Sequence, residues 1–220
     1  MIKEAVFTPI DLTTWPRKEY FDYYKNKLKS KYTISIKIDI TLLHQQYKNK
    51  GYKFYPTFMY VIMRAINQNE AFRTVYQEGV LGTWNYMNPS FTIFHQDDQT
   101  FSDLWSNYSE NFTTFHNILT TDIAQYKDIK GIKIRANQPP NFIPISCVPW
   151  ISFESISQDT ITDTDFMHTL VRFGKYYTEN NKTFIPLSIY VNHAVADGYH
   201  SSKLLNDIQQ LSDEVEQWMP

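Results

Sequence analysis

The part of the chain that most constrains its fold lies near the C-terminus. Residues 185–192 form a largely apolar, β-branched run, which predicts a buried strand. The dipeptide Asp197-Gly198 that follows favours a turn of the backbone. Beyond the turn, apolar residues recur at helical spacing, namely Leu204, Leu205, Ile208, Leu211 and Val215. The pattern therefore predicts a strand, a turn and a helix in succession.

His193 lies where the predicted strand ends, four residues before Asp197. A fixed backbone at such a position holds an imidazole where a proton must leave a reactant, so His193 is a candidate general base. A lone histidine at a strand end is nevertheless more often structural than catalytic. A histidine followed by Asp four residues later and by Gly five residues later is a more selective pattern. Chance produces it in about one or two chains per hundred of this length.

Periodicity elsewhere indicates a mixture of helices and strands. Ile34, Ile36, Ile38 and Ile40 alternate with polar residues, which is typical of a half-buried strand. Other predicted elements include a helix that begins after Thr13 or Thr14 and runs to about 28, and helices over about 42–50, 56–69 and 101–126. They also include strands over 81–84 and 90–94, an acidic loop over 159–165, and a hairpin that joins 167–177 to 183–192. This mixture predicts an α/β fold with a mixed sheet.

Length and composition limit the classes of protein and partner. A chain of 220 residues is long enough for one large domain, which we place over residues 1–220. A net charge of -2 provides no basic field for nucleic acid. The single cysteine, Cys147, excludes an internal disulfide and fits a reducing compartment. Neither a signal peptide nor a membrane span is expected, so we expect a cytoplasmic protein.

Residues 193–200 resemble the His-x-x-x-Asp-Gly signature of the chloramphenicol acetyltransferase family. Three further blocks, over 15–21, 91–96 and 145–153, resemble this family in the same order. The signature alone also occurs in other coenzyme A acyltransferases and in peptide-synthetase condensation domains, whereas four ordered blocks are much more specific. The resemblance implies a two-layer α/β sandwich, in which helices pack on a large mixed β-sheet. It also implies O-acetyl transfer from acetyl-CoA to a hydroxyl of chloramphenicol, which inactivates the antibiotic.

Acetyl transfer to an alcohol needs a base, a hydrogen-bond donor for the oxyanion, and alignment of both substrates. The resemblance implies that His193 is the base and that Ser146 is the oxyanion donor. Taken alone, Ser146 would be interpreted as a strand serine bonded to backbone. The resemblance also implies that Asp197 pairs with Arg17 and shapes the site, in place of a charge relay with His193. Cys147 suggests an acyl-cysteine route, but neighbours on a strand face opposite sides, so we favour direct transfer.

The resemblance further implies a homotrimer with each active site between subunits. His193 of one subunit would face a pocket lined by the next, with acetyl-CoA as co-substrate and no metal. The positions implied to contact the acceptor are Tyr23, Tyr24, Leu28, Phe94, Phe101 and Arg172. The positions implied to line the coenzyme A channel are Tyr55, Trp150, Lys175 and Tyr176.

Several residues depart from the family pattern, including Asp103 and Ser30, which replace smaller or less polar residues. Asn192 replaces the first of two adjacent histidines and is expected to keep a hydrogen bond and spare the chemistry. Arg172 replaces a small threonine, while Ile156 and Gln158 lie where Phe and Leu are common. A charge buried beside an apolar nitrophenyl group is costly unless it is paired. Two alternatives therefore stay open, namely an acyltransferase with a more polar hydroxyl acceptor and a catalytically silent trimeric binding protein.

Overall fold

The computed structural model describes residues 4–158 and 165–220. The strands are β1 (Phe7–Pro9), β2 (Lys31–Asp39), β3 (Thr74–Gln77), β4 (Val80–Trp84), β5 (Asn88–His95), β6 (Thr100–Trp105), β7 (Phe142–Val148), β8 (Leu170–Gly174), β9 (Tyr177–Glu179) and β10 (Lys182–Asn192). The α-helices are α1 (Lys18–Asp22), α2 (Thr41–Asn49), α3 (Phe54–Gln68), α4 (Phe112–Tyr126), α5 (Gly198–Asp213) and α6 (Val215–Trp218). A π-helical turn over Tyr23–Lys27 extends α1, and a 3₁₀ turn over Glu70–Phe72 follows α3.

A seven-stranded sheet runs through the described residues in the order β2-β10-β8-β7-β5-β6, with β9 paired to β10. Strand β7 pairs in parallel with β5 and β8, and the other pairs in this sheet are antiparallel. A smaller sheet has the order β1-β4-β3. The predicted α/β class, with helices packed on a large mixed sheet, is confirmed.

The two faces of the large sheet differ because side chains alternate along each strand. One face is apolar and fully buried against α3 and α5, and it includes Ile145, Val171 and Ile189. Complete burial of each such side chain contributes about 1.5–3 kcal/mol. The opposite face carries a polar row in register across the strands, made of Ser35, Ser188, Arg172, Ser146, Thr92 and Asp103. The polar row brings Ser146 to the face away from these helices.

Three predicted elements are confirmed in detail. The strand predicted from alternating isoleucines is β2, and the apolar positions predicted for the last helix are buried on α5 and α6. The predicted hairpin turn joins β9 to β10 through Asn180 and Asn181, whose φ angles are 49° and 62°. These positive values suit a type I′ turn, in which asparagine is well tolerated.

One predicted helix is wrong over its first part. Residues predicted as helical from 101 form strand β6, which pairs with β5 from Phe94↔Phe101 to Ser90↔Trp105. The pairing buries Ser102 and Leu104 completely, so tertiary packing overrides the weak helical spacing. The helix begins only at Phe112, where the Asn111 side chain accepts a hydrogen bond from the Thr114 amide.

The strands predicted over 81–84 and 90–94 are present as β4 and β5, but they belong to different sheets. The predicted acidic loop over 159–165 lies outside the described residues, apart from its last position. Within the described residues, no helix combines the length and the apolar character that a membrane span requires.

Candidate active site

The imidazole of His193 is held between two tyrosine rings just after the end of β10. Its ring stacks on Tyr24, with centroids 3.7 Å apart and planes at 11°. Tyr32 meets the same ring edge-on at a centroid distance of 5.1 Å. The His193 amide donates to the carbonyl of Ser30 at 3.0 Å, which ties the turn to the start of β2. The ring therefore has a fixed orientation while its residue is only partly buried.

Apolar packing holds the turn that carries His193. Ala194 and Val195 are buried in a small apolar cluster with Phe21, and Phe21 stacks on Tyr76. Because Ala194 and Val195 point into this cluster, the turn cannot shift without exposing them. Trp15 and Phe21 of the block over 15–21 pack in this cluster, so the block supports the turn that carries the histidine signature.

Asn192 stabilises the same turn. Its side-chain oxygen accepts a hydrogen bond from the Ala194 amide at 3.0 Å, and its carbonyl accepts from Val195 and Ala196. Asn192 thus keeps a hydrogen bond, as expected, and does not displace the His193 ring from its place on Tyr24.

The ion pair between Arg17 and Asp197 is present, with an N–O distance of 2.7 Å across 180 residues of sequence. The other carboxylate oxygen of Asp197 accepts from the amide of Tyr199 at 3.0 Å and caps α5. The His200 ring lies 2.8 Å from this oxygen. Both oxygens of Asp197 thus have partners other than His193, which agrees with a structural role and argues against a charge relay.

The pKa of Asp197 is depressed. Burial by itself would raise this pKa, but the hydrogen bonds from Arg17 and His200 outweigh burial and hold it well below its ordinary value. The ionised carboxylate of Asp197 is therefore favoured by the folded state.

We expect Asp197→Ala to lower the free energy of unfolding by about 3 kcal/mol, since it removes the α5 cap and leaves Arg17 unpaired. Asp197→Asn is the matched control, because it keeps one oxygen for the cap and replaces the oxygen that accepts from Arg17 with an uncharged amide nitrogen. It should lose about 1 kcal/mol less than the alanine variant. Urea unfolding at fixed protein concentration measures both values.

The contribution of the Asp197 charge should depend on pH in one direction. Its folded pKa lies below the value of about 3.9 expected in the unfolded chain, so the stabilisation is complete above about pH 5, where the carboxylate is ionised in both states. It is lost as the pH falls further, through the depressed folded pKa. The difference in stability between wild type and Asp197→Asn should therefore shrink between pH 5 and pH 3. A difference that stays constant over this range would contradict an ionised Asp197 as its source.

Ser146 lies on β7 at the meeting point of two cavities. The larger has a volume of about 580 Å³ and is also lined by Tyr55, Phe94, Phe101 and Trp150. The predicted oxyanion donor thus lines the same cavity as two of the predicted acceptor residues and two of the predicted coenzyme A residues. The smaller cavity, of about 270 Å³, is lined by Ser146 and Arg172.

The larger cavity is aromatic and reaches both faces of the sheet. Phe94 and Trp150 meet edge-to-face with centroids 4.7 Å apart, and Phe94 pairs across the strands with Phe101. On the helix side, burial raises the pKa of Tyr55, and nothing in the described part of the chain accepts a hydrogen bond from its hydroxyl. Burial also raises the pKa of the Cys147 thiol to about 12. The thiol therefore stays protonated at neutral pH, which disfavours an acyl-cysteine route.

The remaining predicted residues do not line either cavity at Ser146. Tyr23 packs edge-on against Tyr24, and the exposed side chain of Leu28 closes the same π-helical turn, so both belong to the His193 side. Lys175 is exposed just beyond β8, and Tyr176 packs against aromatic rings of α2 and α3. In the structure, Tyr24 stacks on His193 of its own chain. The resemblance instead implies that Tyr24 lines a pocket that faces His193 of another subunit.

His193 and Ser146 lie far apart within one chain. Ser146 is in register with Arg172, and Arg172 is in register with Ser188 on β10, five residues before His193. Five strand residues and two strand spacings separate the Cα atoms of His193 and Ser146 by about 19 Å. His193 lines neither of the cavities at Ser146. Within one chain, His193 and Ser146 therefore belong to two separate groups of predicted site residues.

Sequence reasoning missed several site residues. Tyr32 lies on His193, and Thr92 and Lys133 line the smaller cavity beside Ser146 and Arg172. Thr92 had a usable signal, since it lies two residues before Phe94 on a strand and so faces the same side. Tyr32 lies near His193 because β2 pairs with β10, and Lys133 lies at the smaller cavity because its loop contacts β6 at Asp103. No local sequence pattern indicates either contact.

The chain was compared with known protein families and proteins. A sequence profile described as chloramphenicol acetyltransferase matches residues 5–209. A chloramphenicol acetyltransferase of Clostridium perfringens is 39% identical over 214 residues, covering 97% of this chain and 98% of that relative. One of Staphylococcus aureus is 39% identical, over 97% of this chain and 99% of the relative.

Solved structures share the fold. A chloramphenicol acetyltransferase superposes with a TM-score of 0.83 at 20% identity, covering 93% of this chain and 99% of that one. The dihydrolipoamide acetyltransferase of Azotobacter vinelandii gives a TM-score of 0.65 at 15% identity, covering 86% and 84%. At such identities these structures establish the architecture alone. The profile match and the near full-length relatives establish more, namely that the chain belongs to the chloramphenicol acetyltransferase family.

Proposed function

We propose that the protein is an acetyl-CoA-dependent O-acetyltransferase that inactivates chloramphenicol by acetylating one of its hydroxyl groups. The observation that carries the proposal is the similarity, over nearly the whole chain, to relatives named chloramphenicol acetyltransferase. The proposal includes a cytoplasmic enzyme built as one domain over residues 1–220, with no nucleic-acid or membrane partner. The low net charge and the single cysteine support this part.

The active form that we propose is a homotrimer with each active site shared by two subunits. The support is the separation of about 19 Å between His193 and Ser146, which leaves the His193 group and the Ser146 group each incomplete in one chain. Both groups also expose large apolar side chains, which is typical of surfaces that bind a partner. These side chains are Tyr23, Leu28, Phe94, Phe101 and Trp150.

In the proposed mechanism His193 accepts the proton of the acceptor hydroxyl, whose oxygen then attacks the acetyl carbonyl carbon. Ser146 of the facing subunit donates a hydrogen bond to the oxyanion that forms on that carbonyl. When the tetrahedral intermediate collapses, the bond from carbon to sulfur breaks and His193 returns the proton to the leaving thiolate. The transfer is therefore complete without an acyl-enzyme intermediate.

The larger cavity supplies the walls for both substrates in this proposal. We place the acetyl-CoA chain along Tyr55, Trp150, Lys175 and Tyr176. Trp150 and Tyr55 line the same cavity as Ser146, which supports their part of the assignment. Lys175 and Tyr176 have no such support and are proposed from the resemblance alone.

The direct test is release of free coenzyme A thiol from acetyl-CoA, followed with a thiol reagent. We expect release that depends on chloramphenicol and yields an acetylated product by mass spectrometry. Thiol release that is equal with and without chloramphenicol, or that appears only with another alcohol, would contradict the proposed acceptor.

A second acceptor class has one observation in its favour. Arg172 is buried at a cavity that Ser146 also lines, and a nitrogen of its guanidinium lacks a hydrogen-bond partner in the described residues. A more polar hydroxyl acceptor would suit this group. The third possibility, a silent binding protein, would be favoured if Asn192 displaced His193 from the pocket. Against it, the Asn192 side chain accepts a hydrogen bond from the Ala194 amide while the His193 ring stacks on Tyr24.

A further inference from the structure

Arg172 is a buried cation whose hydrogen bonds are incomplete. It is only 8% exposed, at the centre of the polar row of the sheet. One terminal nitrogen donates to the side-chain oxygen of Gln158, while the other is buried without a hydrogen-bond partner in the described residues. Its neighbours in register are the uncharged Ser146 and Ser188. Burial lowers the pKa of Arg172, but an arginine guanidinium stays protonated in proteins, so a positive charge is held beside Ser146.

The charge of Arg172 has no ionic partner in its cavity among the described residues. The smaller cavity beside Ser146 is also lined by Asp103 and Lys133, but these two pair with each other at 2.9 Å. The other residues that line the cavity are uncharged. Burial of a charge without such a partner is costly. Costly side chains of this kind are most common at functional sites, so the position of Arg172 indicates a function for its charge.

The proposed reaction creates a negative charge close to this cation. When the acceptor oxygen attacks the acetyl carbonyl carbon, an electron pair moves onto the carbonyl oxygen, which carries no such charge in the bound thioester. Ser146 donates to that oxygen in the proposed mechanism. The Cα atoms of Ser146 and Arg172 are about 4.8 Å apart, as neighbours in register, and both residues line the smaller cavity. A fixed charge at such a site stabilises a developing charge strongly, because no solvent dipoles have to reorient.

We propose that Arg172 stabilises the oxyanion of acetyl transfer electrostatically, from the strand next to Ser146. The inference rests on the proposed function, because the oxyanion forms only during that reaction. It goes further in giving the buried charge a role in the turnover of chloramphenicol, which is itself a neutral molecule. The guanidinium acts through its charge and does not have to contact either substrate. Because the family commonly has a small threonine at this position, the added charge is a feature of this chain.

Three variants test the role of the charge. Arg172→Met removes the charge and keeps an apolar stem of similar length, whereas Arg172→Lys keeps the charge. Lys130→Met is the control, because it removes a charge from an exposed lysine that pairs with Asp97 and Asp98. The kcat of each variant is measured by thiol release from acetyl-CoA with chloramphenicol, at saturating concentrations of both substrates.

We expect Arg172→Met to lower kcat by about tenfold, with KM for both substrates within about twofold of wild type. The loss should be smaller than that from removing Ser146, because the charge acts without a direct hydrogen bond. Arg172→Lys should stay within about threefold of wild type in kcat, and Lys130→Met within about twofold.

Stability to urea at fixed protein concentration is the second readout. Arg172→Met removes a buried charge that lacks an ionic partner, so it should be at least as stable as wild type while its kcat falls. A purely structural arginine would instead lose stability and turnover together.

Four results would overturn the inference and leave the proposed function standing. They are an unchanged kcat in Arg172→Met, an equal loss of kcat in Arg172→Lys or Lys130→Met, a loss of stability that accompanies the loss of kcat, and a rise in KM for chloramphenicol at constant kcat. The last of these would make Arg172 a residue that binds the acceptor. If wild type releases no thiol with chloramphenicol, the proposed function fails and the inference fails with it.

Discussion

His193→Ala is expected to lower kcat for chloramphenicol acetylation by about 10²–10⁴-fold, with little change in KM for either substrate. The expected loss is large because a neutral hydroxyl is a poor nucleophile without a base. The structure also fixes the orientation of His193, by stacking on Tyr24 at 3.7 Å and edge-on contact with Tyr32. Steady-state kinetics by thiol release measures the effect.

Two further measurements separate a base from a structural histidine. Added imidazole should partly restore turnover in His193→Ala, since the lost ring leaves a space beside Tyr24 that a free imidazole fills. The stability of the variant to urea should stay close to that of wild type, because Ala194 and Val195 still anchor the turn in the apolar cluster. Undiminished turnover in His193→Ala would overturn the mechanism.

Ser146→Ala is expected to lower kcat by about 10²–10³-fold, the usual effect of removing one oxyanion donor. KM for chloramphenicol should change little, since the hydrogen bond forms fully only in the transition state. The matched control is Ser35→Ala, in the same polar row but three strands away and bonded to Ser188. It should retain turnover within about threefold. An effect of Ser146→Ala on affinity alone would count against the oxyanion role.

Mixing the two inactive variants tests the shared site directly. If His193 of one subunit acts with Ser146 of the next, co-expressed His193→Ala and Ser146→Ala chains form mixed trimers in which some interfaces join two intact residues. Activity should then return to a substantial fraction of wild type. If both residues act within one chain, every site in the mixture lacks one of them. Activity that stays as low as in either variant alone would therefore contradict the shared site.

Sequence patterns anticipated most of the fold where a segment satisfies one periodicity. The alternation of isoleucines marked β2, and the spacing of Leu204 and Ile208 marked α5. The same method failed over residues 101–105, where spacing suggested a helix and pairing with β5 formed a strand. There the gain from burying Ser102 and Leu104 in a sheet outweighs local preference, and it depends on a partner strand that periodicity does not identify.

The candidate site residues also divide into those that the sequence predicts and those that only the structure shows. The histidine signature, the serine on a strand and the contact between Arg17 and Asp197 were all expected from the sequence, and the contact is present. The place of Tyr32 on His193 was not expected, and neither was the Arg172 nitrogen that lacks a hydrogen-bond partner in the described residues, because both depend on side chains that meet across strands.

By itself, the sequence determined which chemical groups the chain carries and whether each lies on a strand, a turn or a helix. Alternation and helical spacing are properties of neighbouring residues, so the sequence alone contains them. Only the tertiary structure decided which groups share a pocket. The register from β7 through β8 to β10 puts Ser146 beside Arg172 and leaves His193 about 19 Å away. Register is determined by burial of the whole apolar face at once, so it is a property of the folded sheet and of no single segment.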